Sequence, residues 1–531
     1  MAAGSTLVAA GILLSRLSGL VREKALAAFL GLSGWADAFS VASRLPNLVQ
    51  NLLGEGTLSA SFIPAYSRAL QSEDKELSGR LAGVVLGLLG VLAGLLSLLG
   101  VLAAPVLVAL FAPGFTGERR DLTVEMVRLM FPMTGILVIS AWALGILNSH
   151  RRFFLSYVAP VAWNGCIVAA LAIGAFGLGL EPRALALAAA WGALAGGVVQ
   201  LLVQLPAVFK LEPGLRPSLD LSVPGATEVL TRAGPAILGR GVVQFSGYLD
   251  MLLASLLAVG APTAIRFAQT LYTLPISLFG MSIAAAELPE LSRSGADLSQ
   301  LAARTRASLE RQLFLVAPSA VALAMIGETI VAALYQDGAF TADNTRVVWL
   351  VLLGYDVGLI ATSGSRLLQS AFYALQDTAT PAWAASVRVG VSGAVGLVLM
   401  GALEPLPQLG WPGGPLSHLT AGGLPLGVVG LAAGTGVAAW IEWWWLKRAL
   451  HARIGGFTAR GGIVARNLAA SVAGGLAGLA VRAALATLTP GLHPVLAALG
   501  VVGAFGIVWL TVATAVGLDG AQAVLRRLRR R

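Results

Sequence analysis

The chain has 531 residues, 57% hydrophobic and 12% charged, where a soluble domain carries about 25% charged residues. That balance excludes a soluble globular protein and marks an integral membrane protein. The net charge of +10 does not mark a nucleic-acid binder, because the basic residues gather in short breaks between apolar segments.

Those breaks hold Arg68, Lys75 and Arg80; Arg151 and Arg152; Lys210 and Arg216; Arg293, Arg304, Arg306 and Arg311; Lys447, Arg448, Arg453 and Arg460; and the tail ending at Arg531. The breaks between them are poorer in Lys and Arg, as in Y-Q-D-G-A-F-T-A-D-N near Asp337 and E-P-L-P-Q-L-G-W-P-G-G-P from Glu404. This alternation follows the positive-inside rule, placing both termini in the cytoplasm and requiring an even number of spans. The single cysteine, Cys166, excludes an intramolecular disulfide and a thiolate zinc site. Four histidines, scattered singly, argue against a histidine metal centre.

A span needs about 20 apolar residues, and about fourteen can be read along the chain. Their centres fall near Leu13, Gln50, Leu95, Ile136, Ala169, Leu194, Val243, Ser277, Val321, Ser363, Gly393, Val437, Gly475 and Ile507. The first is expected to remain as a membrane helix and not a signal peptide. It lacks a basic leader, and Arg16 and Arg22 interrupt its apolar run. The 64 glycines suit close helix packing in lipid. Pro46, Pro64, Pro132, Pro235, Pro275 and Pro318 are candidate kinks, although membrane helices also tolerate proline without one.

Several charges fall inside these spans, where each costs roughly 2.5–3.5 kcal/mol on insertion scales. The first span carries Arg16, Arg22 and Glu23; Arg16 and Glu23 share a face, and Arg22 has the alternative of snorkelling to the interface. On the second span, at 100° per residue, Asp37, Ser40, Arg44, Asn47, Asn51 and Glu55 form one stripe, with Gln50 nearly opposite. In the eighth span Arg266, Thr270, Thr273 and Ser277 form another stripe. Asp356, Ser363, Arg366 and Ser370 form a weaker one in the tenth. A purely structural polar network is the plain alternative, but intramembrane ionisable residues are functional by default. Arginine stays protonated when buried and binds phosphate bidentately, so an arginine-lined cavity suits a phosphate or pyrophosphate head group.

The chain also resembles itself. I-P-A-Y-S-R ending at Arg68 parallels L-P-E-L-S-R ending at Arg293, an offset of 225 residues at which Leu53 meets Leu278 and Ala60 meets Ala285. G-I-L-L-S-R ending at Arg16 matches P-A-I-L-G-R ending at Arg240 at nearly the same offset. The expected fold is an all-α polytopic membrane protein: two pseudo-symmetric six-helix lobes, residues 1–224 and 225–455, in parallel repeat, then two C-terminal helices in 456–531. Two such repeats around a midplane site make a transporter architecture. No phosphate-binding loop, H-E-x-x-H or G-x-S-x-G motif is present, so the chain reads as a transporter and not an enzyme.

The segments S-R-L-S-G-L-V-R-E, A-D-A-F, R-L-P-N-L, E-G-T-L-S-A-S-F-I-P, G-I-L-N-S-H-R-R-F-F, A-P-V-A-W-N and A-F-Y-A-L-Q-D-T-A-T-P resemble the MurJ (MviN) family of lipid II flippases. That family lies in the multidrug/oligosaccharidyl-lipid/polysaccharide exporter superfamily. The resemblance implies a monomeric flippase in the bacterial cytoplasmic membrane, working by alternating access. It would move the undecaprenyl-pyrophosphate-linked peptidoglycan precursor, lipid II, to the periplasmic leaflet, alongside cell-wall synthesis or division machinery. It implies substrate-binding roles for Arg16, Arg22, Glu23, Asp37 and Glu55, which join Arg44, Asn47, Arg266 and Thr270 of the stripes. It also implies a polyprenyl-tail groove on the last two helices, no cofactor beyond a coupling sodium ion, and Asp250 and Asp377 as sodium ligands. The family often has arginine where this chain has Gln50 and Thr270, so Arg44 and Arg266 are expected to supply that charge. A flippase for another lipid-linked sugar and an ion-coupled drug antiporter are the competing readings. The arginines favour an anionic ligand over a drug cation.

Overall fold

The computed structural model describes residues 2–72, 74, 76–294 and 297–528. They form eighteen α-helices and one small hairpin. All fourteen expected centres lie within helical segments. Among the described residues nine helices are long and apolar enough to cross a membrane, or ten if one bent pair counts as a single span. The chain divides into two compact units, Met1–Thr263 and Ala264–Arg531.

The first unit holds α1 (Ala2–Leu30), α2 (Gly34–Leu53), α3 (Glu55–Ala69), α4 (Leu77–Phe111), α5 (Gly117–Ser149), α6 (Phe153–Ala172), α7 (Pro182–Leu211) and α8 (Ala226–Ser255). Gly31, at φ +58°, ends α1, and the Ser33 hydroxyl then caps α2 by accepting from Ala36 N at 3.2 Å. Helix α5 packs against α2, α3, α4 and α7, while α6 lies between α1 and α7. Buried Phe39, Met126 and Phe131 fill one part of the core, and Phe62, Tyr66 and Trp142 fill another. The repeat pattern placed a lobe boundary at residues 224 and 225. The compact units divide later because α8 packs against α2, α3 and α4.

The second unit holds α9 (Ala261–Pro275, whose first turn falls in the first unit), α10 (Ser282–Ser294), α11 (Leu298–Tyr335), α12 (Ala342–Asp356), α13 (Leu359–Ala374), α14 (Ala379–Leu403), α15 (Gly427–Ile454), α16 (Gly461–Leu488), α17 (Pro494–Ala515) and α18 (Asp519–Leu528). Helix α11 packs against α12, α13, α16 and α17, and α15 against α12, α13 and α14. Glycine sets the closest crossing. A Cβ at Gly434 would stand 2.5 Å from Gly396 Cα, so α14 and α15 touch backbone to backbone. The Lys- and Arg-poor connection after α14 carries the hairpin, β1 (Thr420–Ala421) and β2 (Leu424–Pro425), turned by Gly422 and Gly423 at φ +55° and +77°.

The proline expectations are met unevenly. Right after Pro275, α9 passes into a π-helical segment, Ile276–Met281, before α10. The break between α2 and α3 falls at Gly54, and the 41° bend between α12 and α13 falls at a site without proline. Adding the repeat offset of 225 to Gly54 gives 279, inside the π-helical segment. Each half therefore interrupts its second helical rod at the corresponding place, near the end of its polar stripe.

Candidate substrate-binding residues

In the first unit the α2 stripe runs from buried to exposed. Asp37 and Ser40 are buried, Arg44 and Asn47 half-buried, and Asn51 exposed. Gln50 is half-buried as well. Glu55 opens α3, but its side chain lies outside the described residues.

Asp37 has no exposed surface. Its carboxylate accepts from Gly260 N at 2.7 Å, from Thr263 N at 3.1 Å and from the Thr263 hydroxyl at 2.7 Å. Arg119 stands 3.5 Å away, stacked 4.0 Å from the Phe115 ring centre. Asp37 thus joins the start of α2 to the turn between α8 and α9. Lower on the stripe, the Tyr248 hydroxyl donates to Arg44 O at 2.8 Å.

Helix α1 supplies a second cluster. Arg22 donates from Nη1 to Asn164 Oδ1 at 2.9 Å and from Nη2 to Glu23 Oε1 at 2.6 Å. Its guanidinium carbon lies 4.9 Å from the Trp163 ring centre. Asn164 Nδ2 in turn donates to the Ser18 hydroxyl at 2.8 Å. Arg22 therefore turns toward α6, and its Nε is buried without a partner. Glu23 is buried beside it, and Arg16 is exposed one and a half turns earlier. Asn164 and Trp163 sit in the motif A-P-V-A-W-N, but periodicity alone did not point to them because their partners are 142 residues away.

In the second unit Arg266 and Thr270 are half-buried on α9. The Thr270 hydroxyl donates back to Arg266 O at 3.0 Å, bonding its own helix. The other side of α9 is tied down: Gln269 Nε2 donates to the Tyr355 hydroxyl at 3.0 Å and the Tyr272 hydroxyl to Thr362 Oγ1 at 2.9 Å. Behind Thr362 lies an ion pair that sequence reasoning missed. Arg388 donates to Thr362 Oγ1 at 3.3 Å and to Glu442 Oε2 at 2.9 Å, and Gln369 Nε2 fills Glu442 Oε1 at 3.0 Å. The Glu442 side chain is 2% exposed, so this pair is held by hydrogen bonds on every charged edge named.

The sodium ligands expected from the resemblance differ in surroundings. Asp377 follows α13 and caps α14, accepting from Thr380 N at 2.9 Å and the Thr380 hydroxyl at 2.6 Å, and it also takes the Arg453 guanidinium. Asp377 thus already has a cationic side chain beside it. Asp250 is buried on α8. Among the described residues no group of three or more His, Cys, Asp or Glu side chains is placed to hold a metal.

The family model of lipid II flippase MurJ matches residues 26–499. A probable lipid II flippase MurJ of Rhizobium tropici is 33% identical over 415 residues, 77% of this chain and 76% of that protein. The lipid II flippase MurJ of Burkholderia cenocepacia is 34% identical over 377 residues, 70% of this chain and 72% of its own length. A solved lipid II flippase MurJ in an inward closed conformation shares the fold with a TM-score of 0.75 at 20% identity, covering 96% of this chain and 99% of that one. An inward-facing multidrug resistance MATE family transporter of the MOP superfamily follows with a TM-score of 0.64 at 18% identity, over 82% and 95% of the two chains. The chain belongs to the lipid II flippase MurJ family.

Proposed function

We propose that this chain is a lipid II flippase, moving the undecaprenyl-pyrophosphate-linked peptidoglycan precursor from the cytoplasmic to the periplasmic leaflet by alternating access. It is a transporter and not an enzyme. The observation that carries the reading is the set of arginines on hydrophilic helix faces in a chain of this family. Arg16 and Arg22 lie on α1, Arg44 on α2 and Arg266 on α9. Guanidinium groups pair with phosphate through parallel hydrogen bonds and remain charged at membrane depth. Arg22 is already oriented by Asn164, Glu23 and Trp163, which lowers the entropy lost on binding an anion.

The basic breaks support both termini lying in the cytoplasm of a bacterium, with the chain in its inner membrane. The two interrupted rods, α2–α3 and α9–α10, support the transporter reading, because discontinuous helices at matching positions of two repeats recur in transporters. The deciding experiment depletes the host's own flippase and measures lipid II accessibility in each leaflet. The wild-type chain should restore periplasmic exposure. Arg16→Ala, Arg22→Ala and Glu55→Ala should not, at matched protein levels. Undiminished translocation by all three variants would overturn the reading.

A further inference from the structure

The second unit holds a cavity of about 220 Å³ between α11, α13, α15 and the chain leading into α16. Leu313 and Val316 of α11, Leu368 of α13, Trp440 and Trp443 of α15 and Phe457 of the connection make an apolar wall. Gly364 shapes it: a Cβ there would stand 2.7 Å from Trp443 Nε1 and push the indole from its seat. Lys447 also lines the cavity, with its ammonium 4.7 Å from the Trp443 ring centre.

Among the described residues no carboxylate pairs with Lys447, whereas Arg453 and Arg460 nearby pair with Asp377 and Glu310. Seven residues of α15, about 10 Å of helix rise, separate Lys447 from Trp440. Toward the other end, Gln312 Oε1 and Ser363 Oγ are buried without hydrogen-bond partners and limit the apolar slot. The volume lies below the range of roughly 300–1,000 Å³ usual for ligand pockets. The mostly apolar wall offers a sugar few hydrogen-bond partners, so the slot suits a segment of a hydrocarbon chain.

We propose that this cavity holds a segment of one acyl chain of an anionic glycerophospholipid, with the lipid phosphate on Lys447. The proposal rests on the topology reading above, which puts this end of α15 at the cytoplasmic leaflet. Basic pockets between helices on that side take anionic lipid head groups, and tryptophan favours the interface. Lys447 offers the cation, Trp443 orients it, and the apolar wall receives the chain. None of the residues lining the cavity lies on α1, α2 or α9.

The test places the purified full chain in nanodiscs of phosphatidylcholine with a minor fraction of phosphatidylglycerol, then exchanges in phosphatidylcholine and counts retained lipid by mass spectrometry. The wild type should retain phosphatidylglycerol over phosphatidylcholine. Lys447→Gln should lower that retention roughly fivefold, the worth of one basic residue at an anionic surface. Val316→Trp should fill the slot and abolish retention, with Leu368→Phe as the alternative if the first variant does not fold. Equal retention of the two lipids, retention unchanged in the variants, or displacement of phosphatidylglycerol by equimolar undecaprenyl phosphate would overturn the proposal. Lipid II flipping is measured on the same proteins. Loss of flipping in the wild type would count against the function proposed above and leave the lipid result standing.

Discussion

Arg22 shows what a single residue can and cannot reveal in sequence. Its presence in an apolar helix signals a partner, but the partner, Asn164, lies 142 residues away on α6. Removing that partner by Asn164→Leu leaves the guanidinium with one fewer hydrogen bond and takes a donor from Ser18 Oγ, whose hydroxyl still donates to Ser15 O. The expected loss is about 1.5–3 kcal/mol, as for a hydrogen bond to a charged group, read as a lower melting temperature in detergent. Lipid II exposure should fall with it, because Arg22 is then no longer oriented. At Asp377, outside the spans, the Thr380 hydroxyl and backbone N–H, with help from Arg453, hold the carboxyl down to about 2 from an ordinary 3.8. A depressed pKa stabilises the fold above the unfolded value, and that contribution disappears as pH falls from about 4 through 2. Melting of the wild type should therefore weaken across that window by more than melting of Asp377→Asn, in which the proton-linked part is absent.

Helix α16 rides on α11 in a parallel register that is visible only in the structure. Asn467 Nδ2 donates to Leu313 O at 3.0 Å, and Arg482 pairs with Glu328; both contacts span 154 residues. Arg460 adds a two-point pair with Glu310 at the start of the same helix. The C-terminal helical hairpin, α16 and α17, is thus fastened to α11 through contacts near both ends of α16. Glu328→Leu should cost about 1–3 kcal/mol by leaving Arg482 without its carboxylate, and Arg482→Leu less, because Arg346 still stands 3.6 Å from Glu328. The double variant should melt above either single one, a coupling that a double-mutant cycle measures. Equal, additive losses would show that the pair does not clamp the hairpin. The interrupted rods teach a related lesson. The sequence repeat located the corresponding segments, but proline marked only one of the two irregularities: one follows Pro275 and the other sits at Gly54.

For the whole molecule, the proposed function calls for positive charge in both repeats, and the family resemblance leads one to expect arginine where this chain has Gln50 and Thr270. Thr270 spends its hydroxyl on its own helix, so it offers no substitute charge. Arg266→Ala should therefore impair rescue of a flippase-depleted bacterium by about tenfold or more, the effect of losing one charge-assisted contact, while Thr270→Val should be nearly silent. Normal rescue by a stably expressed Arg266→Ala protein would remove Arg266 from the binding set. The sequence by itself determined the membrane class, the helical rods, the repeat and the hydrophilic faces, because lipid forces backbone groups to pair within each helix and makes every intramembrane charge conspicuous. Only the tertiary structure decided which partner each charge takes. It buried Asp37 in the α8–α9 turn, turned Arg22 onto α6, filled Asp377 with Arg453, and grouped α8 with the first unit. Those outcomes depend on contacts between distant segments, which helical periodicity does not encode.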